Sequence, residues 1–187
     1  LSDGTNRTSP VQLTYVSSIL NDSLDDNNIT MIDGNGDFWI GGFANNPSLL
    51  QNGLSSPVQL GTLNLWKTIH IGGGSFAGAQ QSNGIIWTWG INSQGQLGLF
   101  DTRERYSPAQ MGNISAWAKI SSGAYATLAI QSNGTLWAWG NNGSGALGNN
   151  SNSGSTYSPV QIGALSTWSK VNSRSGSTFA TKTDGTL

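Results

Sequence analysis

The side chains that could do chemistry are few, and most of them fail on number or spacing. His70 is the only histidine, and there is no cysteine. A His- or thiolate-based metal centre therefore lacks ligands. A Ser-His-Asp triad would have to use His70, and no Gly-x-Ser-x-Gly turn accompanies it. The segment Trp66-Lys67-Thr68-Ile69-His70-Ile71 reads as a strand, so His70 is expected to be a structural or surface residue. Asp33-Gly34-Asn35-Gly36-Asp37 offers alternating oxygen donors like the opening of a calcium loop, but Phe38 stands where such a loop has glycine and Ala44 where it has the bidentate glutamate. The favoured expectation is a hairpin turn lengthened by two residues, with calcium binding left as the alternative. Gly72-Gly73-Gly74 has bare amides that could cradle an anion, yet no Gly-Lys-Ser/Thr follows and no helix is expected. It reads as one extra residue bulging where a related segment has Ser122-Gly123. No catalytic residue, cofactor site or metal site follows from these groups. The densest charge cluster, Asp101-Thr102-Arg103-Glu104-Arg105, lies in a loop between Gly98 and Pro108. Loops on a rigid scaffold carry binding specificity, and Arg is favoured at interface hot spots, so Asp101, Arg103, Glu104 and Arg105 are the candidate partner-binding residues. The competing expectation is a solvated loop paired with itself.

Composition narrows the partners further. A net charge of −1 gives no electrostatic footprint for phosphate backbones, which argues against nucleic acid. No apolar run is long enough to insert into a membrane. Glycine is abundant, at 26 of 187 residues, and charged residues make up only 9%. Eight Trp, five Phe and four Tyr nevertheless supply large apolar surfaces, so something must bury those rings. Asn-x-Ser/Thr triplets such as Asn28-Ile29-Thr30 and Asn113-Ile114-Ser115 recur, but in a chain this rich in Asn and Ser they leave glycosylation undecided. The chain opens on Leu1 rather than Met, which leaves room for an upstream segment.

What must position all of these residues is a repeat. Trp66, Trp117 and Trp168 stand 51 residues apart, and so do Pro57, Pro108 and Pro159. Residues 66–116 and 117–167 form two full copies, 168–187 begins another, 14–65 is a degenerate copy and 1–13 is the end of a preceding one. In the degenerate copy Trp39 and Gly42 hold the places of Trp87 and Gly90, and of Trp137 and Gly140. Thr127–Ile130 and Thr135–Trp139 read as strands joined through Ser132-Asn133-Gly134, where Asn-Gly is expected to take positive φ at both central positions of a tight hairpin. Leu136-Trp137-Ala138-Trp139 is apolar on both alternating faces, so its sheet must be covered on both sides. Short strands in a sheet of three or four, buried on both faces and repeated about every 50 residues, predict an all-β fold of blades stacked radially as a β-propeller.

The pattern W-x-x-I, then Gly, then (S/T)-(N/D)-G-x-(L/I)-W-x-W-G-x-N-x-x-G-x-L-G, then S-P-(V/A)-Q, resembles the regulator-of-chromosome-condensation (RCC1-like) repeat family. It is sharpest over Trp66–Gly98 and Trp117–Gly148. The resemblance implies a seven-bladed ring of roughly 350 residues, of which this sequence holds about three and a half blades. Departures are Ala126 where many members have His, Gly41 in place of the second Trp, and Pro47 to Leu50 in place of the Gly-x-Leu-Gly turn. The remaining blades are expected from the same longer chain or from other subunits.

Fold does not fix activity. The sequence leads to a non-enzymatic scaffold for protein–protein interaction that needs no cofactor, and its low charge favours a secreted, cell-surface or virion setting over a nuclear one. Two alternatives stand beside it. One is guanine-nucleotide exchange on a small GTPase, the activity of the family's namesake; the other is inhibition of an enzyme by a propeller face.

Overall fold

A computed structural model describes residues 19–24, 28–42, 54–59, 65–73, 75–113, 116–174 and 176–187. The end of a preceding repeat (1–13), Ala44, Pro47 to Leu50 and Gly74 lie outside the described residues. Among those described, the chain is a succession of antiparallel meanders. The first sheet holds β1 (Ile19–Leu24), β2 (Asn28–Asp33), β3 (Phe38–Gly42) and β4 (Leu54–Gln59). The second holds β5 (Trp66–Gly72), β6 (Phe76–Gln81), β7 (Ile86–Gly90) and β8 (Arg105–Gln110). The third holds β9 (Trp117–Ser122), β10 (Ala126–Gln131), β11 (Leu136–Asn141) and β12 (Ser155–Gln161). A two-stranded sheet of β13 (Trp168–Arg174) and β14 (Ser177–Lys182) follows. First strands of successive sheets touch, β1 with β5, β5 with β9 and β9 with β13, so they share one inner side of the array. The outer strands β4, β8 and β12 each carry one of the repeated prolines. An edge strand tolerates the missing N–H, and that gap discourages further pairing.

The W-x-x-I pattern has a geometric explanation. Residues three apart on a plain strand point to opposite faces. Here the register slips by one residue just after each Trp, between Trp66 and Thr68, between Trp117 and Lys119, and between Trp168 and Lys170. The bulge turns Trp back to the face of the Ile three residues on. Trp66 therefore packs with Ile69, Trp117 with Ile120, and Trp168 with Val171. Each Trp enters a core made between two sheets. Ile32 and Phe38 of the first sheet meet Trp66, Ile69 and Trp89 of the second, with Phe38 edge-on to Trp89 at 5.4 Å. Ile86 of the second sheet meets Trp117, Ala129 and Trp139 of the third. Leu128, Leu136 and Ala138 of the third meet Trp168, Val171 and Ala180 of the fourth. The expected division of β11 into two apolar faces thus holds, with Trp137 and Trp139 turned to the preceding sheet and Leu136 and Ala138 to the following one.

The hairpins differ from expectation in one respect. Positive φ occurs at Gly36, Gly84, Gly134 and Gly185 but not at the preceding Asn or Asp. Gly134 N donates to Gln131 O at 2.9 Å and Gln131 N to Thr135 O at 3.0 Å, which defines a three-residue loop ending in a left-handed glycine rather than a two-residue turn. Glycine is required there twice over. A Cβ on Gly134 would lie 2.1 Å from Ser166 O, because the turn docks on the next sheet, where Trp168 N donates to Gly134 O at 3.1 Å.

Candidate functional site

The charged loop grows out of a buried post. After β7, Asn92 is fully buried; its Oδ1 accepts the Leu97 amide at 3.0 Å, and its Nδ2 donates to Asp101 O at 2.9 Å. Asn142 repeats the device in the third sheet, accepting Leu147 N at 3.0 Å and donating to Ser151 O at 3.2 Å. The spacing Asn-x-x-Gly-x-Leu-Gly is therefore a loop anchor. The β7–β8 loop is also bolted to the neighbouring sheet. Gln96 O accepts Trp139 Nε1 at 2.9 Å and Thr127 Oγ1 at 3.2 Å, Gln94 Oε1 accepts Asn141 Nδ2 at 2.8 Å, and Phe100 N donates to Tyr157 O at 2.8 Å.

On this base the four candidate residues divide. Asp101 Oδ2 accepts Arg105 Nη2 at 2.9 Å, and Asp101 Oδ1 accepts the Arg103 amide at 3.1 Å. The Arg105 hydrogen bond, aided by that amide and by the positive charge of Arg105 and Arg103, holds the Asp101 carboxyl below its ordinary range. Arg105 Nη1 donates to Arg103 O at 2.8 Å, so Arg105 and Asp101 spend themselves on shaping the loop. Glu104 accepts the Tyr106 hydroxyl at 3.1 Å, and that bond, with the carboxylate's charge, raises the Tyr106 pKa. Arg103 is exposed, and its guanidinium makes no hydrogen bond or ion pair among the described residues. Exposed rings join it: Phe100 at 74%, Tyr106 at 61% and Tyr157 at 46%. Sequence reading passed over these aromatics because Tyr106 and Tyr157 sit in the repeat pattern beside Ser-Pro. Their signal was a large ring on an outer strand with no second sheet to cover it.

The other candidate groups make contacts within the sheets. Asp33 Oδ1 accepts the amides of Asn35 at 2.9 Å and Asp37 at 3.0 Å, and Asp33 Oδ2 accepts Trp39 Nε1 at 3.0 Å. The expectation of a turn lengthened by two residues is corrected. Gly36 N to Asp33 O and Asp33 N to Asp37 O repeat the bonds of the Gln81–Ile85 turn, so the two hairpins are equally long. Asp33 takes the place of Gln81, whose Oε1 accepts Trp87 Nε1 at 3.2 Å. Among the described residues, no three His, Asp or Glu side chains gather to hold a metal ion. Gly72 pairs with Phe76 across three residues, whereas its counterpart Gly123 donates its amide to Ala126 O across two, so this turn is one residue longer. His70 pairs across the strands with Gly78, its ring filling the space a side chain there would take. Both ring nitrogens are out of solvent without a hydrogen-bond partner among the described residues, and burial pushes the pKa from 6.5 down to about 4.

Four-stranded meanders stacked face to face, the second and third sending their outer loops over the next sheet, define a β-propeller built from sequence repeats. Residues 83–130 and 133–180 match the Regulator of chromosome condensation (RCC1) repeat, and 117–146 match a second form of it; the chain belongs to this repeat family. Among solved structures it is similar to Prp20p from Saccharomyces cerevisiae, described with its binding properties to Gsp1p and histones. That match has a TM-score of 0.72 and 14% identity over 85% of this chain and 42% of that one. Yeast RCC1 (Prp20) bound to Kap60 gives 0.71 and 14% over 82% and 39%. Human WBSCR16 gives 0.66 and 17% over 80% and 40%. These identities carry the fold alone. The chain spans about two fifths of the length of these solved chains. Comparison with curated protein sequences finds no match.

Proposed function

We propose that this chain is part of a propeller that works as a non-enzymatic scaffold for protein–protein interaction, with the Asp101–Arg105 loop as a contact. RCC1-repeat propellers are generally protein-binding scaffolds. The observation that carries the reading here is the loop itself. It is fixed by Asn92 and by bonds to the third sheet, yet Arg103 and Glu104 are held at its surface. A rigid base with adaptable polar tips is how loops bind without a large ordering penalty. The 9% charged composition supports a secreted, cell-surface or virion setting over a nuclear one. Further repeats, from a longer chain or from other subunits, complete the ring in this reading. The support is Phe179, 59% exposed, whose counterpart Leu128 is buried by the following sheet.

Affinity capture from the source organism tests the scaffold, comparing the wild-type chain with a variant carrying Arg103→Ala and Glu104→Ala. A partner retained by the wild type and lost by the variant is expected. Nucleotide release from a panel of small GTPases, measured alongside, should not accelerate; acceleration would overturn the scaffold in favour of exchange, and inhibition of a captured hydrolase would favour an inhibitor.

A further inference from the structure

Phe100 stands in the left-handed region, with φ 65, and its ring is 74% exposed. A bulky residue with positive φ is a backbone outlier, and such strain persists only where something else holds it. The holding groups are visible: the Phe100 amide donates to Tyr157 O, and the next residue is tied to Asn92 and Arg105. Among the described residues nothing rewards the choice of Phe, because its ring is largely in water. The next repeat supplies the control. Asn142 binds Ser151 O as Asn92 binds Asp101 O, which aligns Asn150 with Phe100, and Asn150 also has positive φ, at 59. Asn is a common occupant of that conformation; Phe is not. One repeat thus has the residue the backbone prefers, and the other has a strained residue that raises an aromatic ring into solvent.

We propose that Phe100 is the anchor of a peptide-binding surface formed with Tyr157, Tyr106 and Arg103, taking an extended segment of a partner protein that presents an apolar side chain beside a carboxylate. The inference rests on the reading of this loop as a protein interface and adds the anchor and the partner's chemistry. Exposed aromatics on a fixed backbone gain contact area with little loss of freedom. Asp101 already neutralises Arg105, and Glu104 already accepts the Tyr106 hydroxyl. Glu104 keeps its negative charge in that bond, and the Arg103 guanidinium, without a hydrogen bond or ion pair among the described residues, is the cation left to engage a carboxylate through paired hydrogen bonds.

Selection of a random peptide display library on the full chain tests this, followed by affinities of the selected synthetic peptide for Phe100→Asn, Arg103→Ala and Glu104→Ala. The expected peptides pair Asp or Glu with aliphatic or aromatic residues, and Phe100→Asn weakens them about tenfold or more, as loss of a hot-spot residue does. The same variant should melt no lower than the wild type, because Asn suits the backbone; a melting temperature that falls would mark Phe100 as a packing residue and overturn the proposal. If Phe100→Asn binds as well as the wild type while Arg103→Ala or Glu104→Ala does not, the anchor is refuted and the interface stands. If no peptide is selected, or none of the three changes matters, both readings fall.

Discussion

At the scale of single residues, identical letters in the repeat do unequal work. Gly140 ends the Trp-x-Trp-Gly run with φ +98, and a Cβ there would lie 2.2 Å from Tyr125 O, a backbone atom of the adjoining loop. Gly148, a few residues later in the same repeat, has φ +65 and nothing within 4 Å of its missing Cβ. A left-handed backbone alone penalises an L side chain by roughly 1–2 kcal/mol. Gly148→Ala should therefore lose about that much. Gly140→Ala must also force two backbone segments apart, and we expect it to lose at least about 3 kcal/mol. Urea unfolding of the two variants separates these values; equal losses would mean that the loop at Tyr125 yields freely. No reading of the letters could rank the two glycines, since the difference lies in what stands opposite each one.

Between strands, the large and small partners exchange places from one repeat to the next. His70 faces Gly78 across β5 and β6, whereas at the same step of the third sheet Ser121 faces Leu128. A Cβ on Gly78 would meet His70 Nε2 at 2.2 Å, so Gly78→Leu alone should be severely destabilising. His70→Ser alone leaves a void and should lose about 1–3 kcal/mol at neutral pH. The two together restore the pairing of the sister repeat and should recover most of both losses. Acid adds a second reading. Folding disfavours the proton on His70, so the stability tied to its neutral form is complete above about 6.5 and is lost as pH falls toward about 4. The loss is at most roughly 3–4 kcal/mol. The double variant should lack this component, and equal slopes of stability against pH for the two proteins would refute the assignment. The contrast also marks what was legible in the sequence. Strand positions, the two apolar faces of β11 and the stacking of sheets followed from local spacing. Cross-strand register did not, because the bulge after each Trp shifts it by one residue, and without register the His70–Gly78 exchange could not be seen; the strain at Phe100 depends on the path of the loop backbone, which spacing does not give. The charged loop was visible as a cluster, but its division into the paired Asp101 and Arg105 and the outward Arg103 depends on a fold-made bend.

For the whole molecule, the stacking order sets a gradient of stability. Among the described residues the main contacts run between neighbouring sheets, so protection should track how many faces of a sheet are covered. The third sheet is covered twice, by the core around Ile86 and Trp117 on one side and by that around Trp168 and Val171 on the other. Trp139 and Ala138 at its centre are fully buried. The sheet of β13 and β14 is covered on the Val171 and Ala180 face, while Phe179, at the position equivalent to Leu128, is 59% exposed. Hydrogen exchange on the isolated chain should accordingly find the amides of β10 and β11 slowest and those of β14 among the fastest of the strands. Trp139→Ala, which removes a buried indole and its bond to Gln96 O, should lose about 3–5 kcal/mol and speed exchange in the second and third sheets together, because both depend on that interface. If β14 instead exchanges as slowly as β10, a surface outside the described residues must be covering Phe179. Dilution would then discriminate: protection supplied by a second copy falls with concentration, whereas protection supplied from within the chain does not.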